Sequence, residues 1–297
     1  MKKDKIGVVG AGLIGGSIAA LLTKKKKQVI CFGRNPARLK KAVKAGICAE
    51  ATTDFSRAGE CGVIFLCTPV DTIIELGKKI IPFMRKGAVL TDAGSVKSKI
   101  CASLAPAAKK RGVFFAGAHP MAGSEKSGFE NARADLFQGT VVFIGTGKHS
   151  SPRARKVIEE FWKSAGAKCV SIEPRKHDEF VSMTSHLPHL ISFCFADCFF
   201  RFEKKHPSSG AAAAGSFKSI TRIAKSSPVL WSGVFSQNSK NVIKQARDFR
   251  KCLDSMILSL EKKSSPLAAL KKITGNYEKF ENKTSEKNKR NRKNTRG

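Results

Sequence analysis

The stretch AGAHPMAGSEKSG, Ala116 to Gly128, concentrates groups able to do acid–base chemistry. His119 follows an apolar run, Val113-Phe114-Phe115-Ala116, that predicts a strand ending at a glycine. A side chain in the loop at the carboxyl end of an α/β strand faces the crevice in which such folds bind ligands. With an ordinary pKa near ~6.5, an imidazole takes or gives a proton close to neutral pH. Ser124, Glu125, Lys126 and Ser127 crowd polar groups beside it, and Gly117, Gly123 and Gly128 permit tight turns. A lone His-Pro pair is more often a solvated surface histidine, so a role for His119 as a base depends on its surroundings.

Those surroundings begin at the amino terminus. Ile6 to Val9 predicts a buried strand that runs into Gly10-Ala11-Gly12-Leu13-Ile14-Gly15-Gly16-Ser17 and a helical run, Ile18 to Leu22. This is a GxGxxG turn with strand before and helix after, the context that dinucleotide binding requires. Gly10 makes the turn, Gly12 admits a pyrophosphate to the backbone, and Gly15 lets helix and strand approach. The helix start, Leu13 and Ile14 included, offers free N–H groups to the phosphates.

The next strand, Gln28 to Phe32, leads to Gly33-Arg34-Asn35 and a helix from Pro36 to Ala45. An Asp or Glu normally meets the ribose 2′-hydroxyl at this place. Here the carboxylate is missing and Arg34 supplies a guanidinium that matches a 2′-phosphate, so NADP is expected ahead of NAD. The plain alternative leaves Arg34 in solvent.

Cys61 to Cys67 predicts a third strand ending in Thr68-Pro69-Val70, a turn at the cofactor edge, followed by a helix from Asp71 to Ile81. Ala88 to Leu90 is the next strand, and its continuation TDAGSVK puts Ser95 on the side of the sheet where His119 should be. Ser95 could instead cap the helix that follows. Thr140 to Ile144, a helix from Pro152 to Ala165 and a strand from Lys168 to Ile172 complete a repeating strand-helix order. The fold class is α/β: a Rossmann-type doubly wound sheet over residues 1–172.

After Pro174 the chain becomes all-helical, giving a second domain over 173–275. Asp178 to Phe202 is apolar nearly all round, with Pro188 expected to kink it, and such a helix wants burial, here between subunits. Ser208 to Ala214 reads as a small-residue linker, and Phe217 to Ile223, Pro228 to Phe235 and Asn241 to Leu260 as further helices. Residues 276–297 are basic and poor in apolar side chains, and are expected to be a disordered tail.

Composition narrows the class. A chain of 297 residues with 41% hydrophobic content can bury a full core, and no apolar run approaches a membrane span. The start, MKKDKIGVVG, passes from charge straight into a strand without a signal-like stretch, so a cytoplasmic protein is expected. Nine scattered cysteines, mostly within runs such as VIFLC and FCFADCFF, are expected to be small buried hydrophobes in a reducing compartment. The net charge of +32 is partly local, since Asn282 to Gly297 carries seven Lys or Arg against one Glu. The remainder is spread evenly, which argues against a nucleic-acid groove but would draw in a small dianion. No CxxC pair is present, and His186 and His189 lack a third ligand at suitable spacing, so no metal is expected. His186 is expected to bond to backbone, His177 to be structural, and His149 and His206 to lie at the surface.

The motifs GAGLIGGS, TDAGSVK, GAHPMAGSEKSG, SHLPH and TRIAKSSPVLW, in this order, resemble the prephenate/arogenate dehydrogenase family of tyrosine biosynthesis. The likeness extends to about residue 270. It implies a nicotinamide-binding Rossmann domain and a helical domain that forms a homodimer and completes the active site. It also implies an NAD(P)-dependent oxidative decarboxylation, of prephenate to 4-hydroxyphenylpyruvate or of arogenate to tyrosine. On the matching positions, His119 would accept the proton of the substrate's ring hydroxyl as hydride leaves the same carbon. Ser95 would orient His119 and touch substrate and cofactor. His189 and Arg222 would hold the two carboxylates of the substrate, with Glu125 and Trp231 around them. No mutase-like segment is expected before the glycine turn, and no regulatory domain after residue 270. Two other readings compete: a β-hydroxyacid-type NADP dehydrogenase, which would want a lysine where the helix carries SHLPH, and a non-catalytic NADPH sensor or nucleic-acid binder.

Overall fold

Eight strands form one sheet in the order β3-β2-β1-β4-β5-β6-β7-β8. They are β1 (Lys5–Val9), β2 (Val29–Phe32), β3 (Glu50–Thr52), β4 (Cys61–Leu66), β5 (Val89–Asp92), β6 (Phe114–Pro120), β7 (Val141–Gly145) and β8 (Lys168–Ile172). The computed structural model describes residues 4–123, 128–262 and 264–293, with side chains through residue 283. Glu125, and with it Ser124, Lys126 and Ser127, lies outside the described residues.

Apolar residues alternate between two cores, as a sheet covered on both faces requires. Val8, Cys31, Phe65 and Ala116 point to one core, while Val9, Phe32, Leu66 and Phe115 point to the other. In the first core Trp162 is fully buried against Phe65, Phe137 and Phe161. The crossovers are α1 (Leu13–Lys24), α2 (Pro36–Lys44), α3 (Ile73–Ile80), α4 (Ser98–Lys110) and α5 (Pro152–Ser164). Asn35 caps α2 by accepting the Arg38 N–H at 3.0 Å, with Pro36 in its first turn.

Two features of the sheet escape the sequence pattern. β3 has three half-buried residues at an edge, too short for any alternation to register. β6 and β7 are antiparallel, because the link between them holds no α-helix among the described residues, and a parallel pair needs such a crossover. As a result β6 runs on past the expected end at Gly117. It pairs with β5 up to Gly117 and with β7 from Ala118 to Pro120, which puts His119 on a strand and not in a loop.

The helical part comprises α6 (Pro174–Val181), α7 (Leu187–Lys205), α8 (Gly215–Thr221), α9 (Pro228–Gln237), α10 (Ser239–Glu261) and α11 (Leu267–Lys293). The helix expected over 178–202 is thus two, joined by a π-helical turn, Ser182–His186. Pro188 offers no N–H to the carbonyl of Thr184, and the widened turn accommodates the loss. Compact units divide at residue 243 (Met1–Ile243 and Lys244–Gly297), because Trp231 and Val234 of α9 share a core with Leu90 of β5, Val96 of the bend after it and Ile100 of α4. In the second unit Phe249, Leu253, Ile257, Leu270 and Ile273 are exposed. The segment expected to be a disordered tail continues α11 through Lys293, since its Lys, Glu and Asn residues can propagate a helix without building a core.

Of the nine cysteines, Cys31, Cys48, Cys61 and Cys101 are buried as expected. Cys194, Cys198 and Cys252 are exposed instead, the first two on α7 near the exposed rings of Phe195, Phe200 and Phe202. No described helix is long and apolar enough to cross a membrane.

Candidate active site

The glycine turn is a built cradle. Gly10 holds φ at +91°, and a Cβ there would meet the Cys67 carbonyl oxygen at 3.0 Å. A Cβ on Gly15 would sit 2.1 Å from the Gly10 carbonyl oxygen, whereas one on Gly12 would meet nothing within 4 Å. The backbone is therefore crowded against the sheet at two glycines and open at the third, where a diphosphate can approach. Gly12 is the N-cap of α1 and no side chain caps it, so the first N–H groups of α1 remain available to an anion.

A cavity of about 350 Å³ opens at this turn. Gly10, Gly12 and Thr68 line one part of it, Arg34 and Arg38 another. The Thr68 hydroxyl is buried without a partner among the described residues, an unmet group that a bound ligand could satisfy. Leu13 and Ile14 form the first turn of α1 beside the cavity, and Ile14 also packs on the core. The strand order reverses between β1 and β4, the switch point at which open α/β sheets bind ligands. A larger open depression, about 830 Å³, lies over α2 and β3, where Glu50 and Arg57 pair with each other.

His119 is 9% exposed at the end of β6. Its Nδ1 lies 2.9 Å from His177 Nε2, and His177 Nδ1 lies 2.8 Å from Asp178 Oδ1. Asp178 also accepts the backbone N–H groups of Lys97 at 2.7 Å and Ser98 at 2.8 Å. Burial pushes its carboxyl up, but the bonds from His177 and Ser98 outweigh this and hold it below the usual range. Burial depresses His119 well below 6.5, with His177, Lys97 and His186 adding to the effect. The imidazole is therefore neutral throughout the neutral pH range.

Lys97 and Asp92 are both fully buried, and Lys97 Nζ pairs with Asp92 Oδ2. Burial pushes the Asp92 carboxyl up against the pull of Lys97, and its Oδ1 has no hydrogen-bond partner among the described residues. Ser95 stands half-buried in the bend between β5 and α4 without a side-chain hydrogen bond among the described residues. It neither orients His119 nor caps α4. His177 takes the first task, and Asp178 takes the second from 80 residues away.

The SHLPH segment joins the same cluster. Asn238 donates to the Asp178 backbone carbonyl at 2.8 Å and meets His186 Nδ1 at 3.1 Å, so His186 bonds to a side chain and not to backbone. Burial lowers His186 to about 4, and its Nε2 has no hydrogen-bond partner among the described residues. His189 stacks on Trp231 with ring centres 3.6 Å apart and planes 20° apart. Its Nδ1–H donates to the Ser185 carbonyl at 2.9 Å, which leaves Nε2 as a donor only when the ring is protonated. Burial, and the charge of Arg222, hold His189 below its ordinary pKa. Arg222 is thus within electrostatic reach of His189.

The structure links His119 to Trp231 and His189 through His177, Asp178, Asn238 and His186, and Arg222 reaches His189 by its field. The sequence pattern marked His177 only as structural and gave no role to Asp178, Asn238 or Lys97. The one local signal was the His177-Asp178 dipeptide, an imidazole beside a carboxylate just after Pro174.

The family model for the prephenate dehydrogenase nucleotide-binding domain matches residues 18–171, and that for the prephenate dehydrogenase dimerization domain matches residues 173–273. The curated prephenate dehydrogenase of Lactococcus lactis subsp. cremoris is 31% identical over 263 residues, 88% of this chain and 72% of its own. The crystal structure of prephenate dehydrogenase from A. aeolicus in complex with hydroxyphenyl propionate and NAD+ is similar with a TM-score of 0.86 at 30% identity, over 94% of this chain and 99% of that one. Synechocystis arogenate dehydrogenase is similar with a TM-score of 0.77 at 28% identity, over 93% of this chain and 99% of that one. By sequence across both halves and by fold, the chain belongs to the prephenate dehydrogenase family.

Proposed function

We propose that this NAD(P)-dependent oxidoreductase of tyrosine biosynthesis oxidatively decarboxylates prephenate, or its amino counterpart arogenate, with His119 as the base and NADP as the preferred cofactor. The observation that carries this reading is His119 itself. It is a buried neutral imidazole with Nδ1 engaged, at the carboxyl end of a sheet whose glycine turn is shaped for a dinucleotide.

When bound, the nicotinamide supplies the hydride acceptor. Loss of hydride from a secondary alcohol builds positive character at carbon, and a base on the hydroxyl relieves it as the carbonyl forms. His119 Nε2 is the atom left to take that proton. Ser95, in the bend between β5 and α4, donates to the same substrate oxygen or to the cofactor. Carbon dioxide then leaves from the ring position para to the new carbonyl, driven by aromatisation. Arg222 takes one substrate carboxylate through its fork of donors, and His189 takes the other once that negative charge offsets Arg222 and favours its protonation. Trp231 holds the His189 ring in place by stacking, and Glu125 is carried over from the family pattern as a further polar group for the substrate. Spectrophotometry of purified protein with each acid and each oxidised nicotinamide tests the reading. Reduced cofactor should form with at least one acid, and no reduction in any combination would refute it.

The preference for NADP rests on Arg34 and Arg38 at the cavity and on the missing carboxylate after β2. Arg34→Ala is expected to weaken NADP+ binding by ~10–100-fold, the scale of a charged hydrogen bond, and to leave NAD+ nearly unaffected. Titration of intrinsic fluorescence with both nucleotides measures this, and equal losses would show that Arg34 does not read the 2′-phosphate.

The exposed rings of Phe195, Phe200 and Phe202 on α7 lie within the segment matched to the dimerization domain, and favour a homodimer that covers them. Sedimentation of the full chain as a monomer at micromolar concentration would contradict this.

A further inference from the structure

We propose that Asp178, His177 and His119 form a proton relay, in which His177 receives a proton from His119 during oxidation and returns it at aromatisation. The proposal rests on the reading of His119 as the base, and assigns its neighbours a part in the chemistry.

A carboxylate only accepts hydrogen bonds, so His177 must donate from Nδ1 to Asp178 at 2.8 Å and keep a lone pair on Nε2. That lone pair lies 2.9 Å from His119 Nδ1, so His119 donates there, and its own Nε2 carries the lone pair that faces substrate. One carboxylate thereby sets the tautomers of two imidazoles in series. The rings cross at 75° with centres 5.1 Å apart, which suits in-plane transfer between facing nitrogens.

The two sites differ in what they offer a positive charge. Lys97, His186 and His177 all act on His119 with a field that opposes protonation, and no acid among the described residues offsets them. His177 also feels Lys97, but Asp178 and Asp92 favour its cation. A proton arriving on His119 therefore gains by displacing the Nδ1 proton onward.

As hydride leaves, the substrate O–H bond breaks, its electron pair forms the carbonyl, and its proton bonds to His119 Nε2. The His119 Nδ1–H bond breaks and a His177 Nε2–H bond forms, so the charge rests on His177 against Asp178. On decarboxylation the electron pair of the breaking C–C bond aromatises the ring and places negative charge on the former carbonyl oxygen. His119 Nε2 returns its proton to that oxygen, and His177 returns its own to His119 Nδ1. No net proton is gained or lost, which explains why the relay can be closed off from water: His177 is 0% exposed.

His177→Gln tests the relay, since its amide oxygen can still accept from His119 Nδ1–H but cannot be protonated near neutral pH. Expected is a kcat lower by ~10–100-fold, within the range of lost acid–base assistance. The KM for substrate, NADP+ affinity and melting temperature should be unchanged, and the acid limb of the kcat/KM profile should move to lower pH. Wild-type kcat and an unmoved limb would overturn the relay. His119→Asn, assayed alongside, separates the two readings. If it is inactive while His177→Gln is normal, the relay alone fails; if it is active, the base assignment itself fails. Nitrogen-15 spectra of the wild-type histidines need no variant to fold. They should show His119 and His177 both protonated at Nδ1, and an Nε2–H tautomer at His119 would refute the scheme.

Discussion

The His119→Asn enzyme is expected to turn over ~10²–10⁴-fold more slowly than wild type while binding NADP+ normally. Asparagine can still donate to His177 Nε2, so the loss isolates the proton acceptor from the packing around it. The expected deficit equals about 3–5 kcal/mol of barrier. His119 does not line the glycine-turn cavity, which is why cofactor affinity should survive. In the wild-type enzyme, burial keeps His119 well below 6.5, so its neutral, active form should persist across neutral pH. Activity assigned to this base is lost only as pH falls through that depressed value. Stopped-flow measurement of nicotinamide reduction at several pH values checks both statements, and near-normal turnover in the variant would remove His119 from the chemistry.

Gly15→Ala is expected to abolish dinucleotide binding and to destabilise the fold, whereas Gly12→Ala should damage binding alone. The added methyl at Gly15 would meet backbone, the Gly10 carbonyl oxygen at 2.1 Å, and also Cys67 Cβ at 2.9 Å. Neither neighbour is a flexible side-chain end, so α1 must shift off β1 and β4, and overpacking of this kind costs ~1–3 kcal/mol or more. For a chain of this size the melting temperature should fall by roughly 2–10 °C. At Gly12 the same methyl meets no protein atom within 4 Å. It would occupy the space through which a pyrophosphate reaches the backbone. Thermal melts with and without NADP+ discriminate the two: Gly12→Ala should melt as wild type but lose the stabilisation given by cofactor. Retention of that stabilisation would show that the dinucleotide does not lie over Gly12.

Local signals in the chain were legible, and contacts across it were not. The glycine turn declares itself because its three glycines and flanking elements are contiguous, and Pro36, Pro152 and Pro228 mark helix starts that the structure places at those residues. The sheet edge was hidden, because β3 is three residues long, and so was the reversal at β7, because nothing in an apolar run states which way it pairs. The contact of His177 with His119 was hidden because the two lie 58 residues apart, and Lys97 was passed over because a lysine in a glycine-serine loop gives no sign of being fully buried on Asp92. The kink expected at Pro188 starts earlier, in the π-turn over Ser182–His186, where His186 meets Asn238 and lies edge-on to Trp231 while His189 stacks on the same ring.

A crystal structure of the protein with oxidised nicotinamide nucleotide and a hydroxyphenyl product analogue tests the chemistry at its reacting atoms. Expected is a His119 Nε2 to phenolic oxygen distance of ~2.6–3.2 Å, with the same ring carbon facing the nicotinamide. A phenolic oxygen beyond hydrogen-bond reach of His119, with another side chain in contact with it, would contradict the assignment of the base.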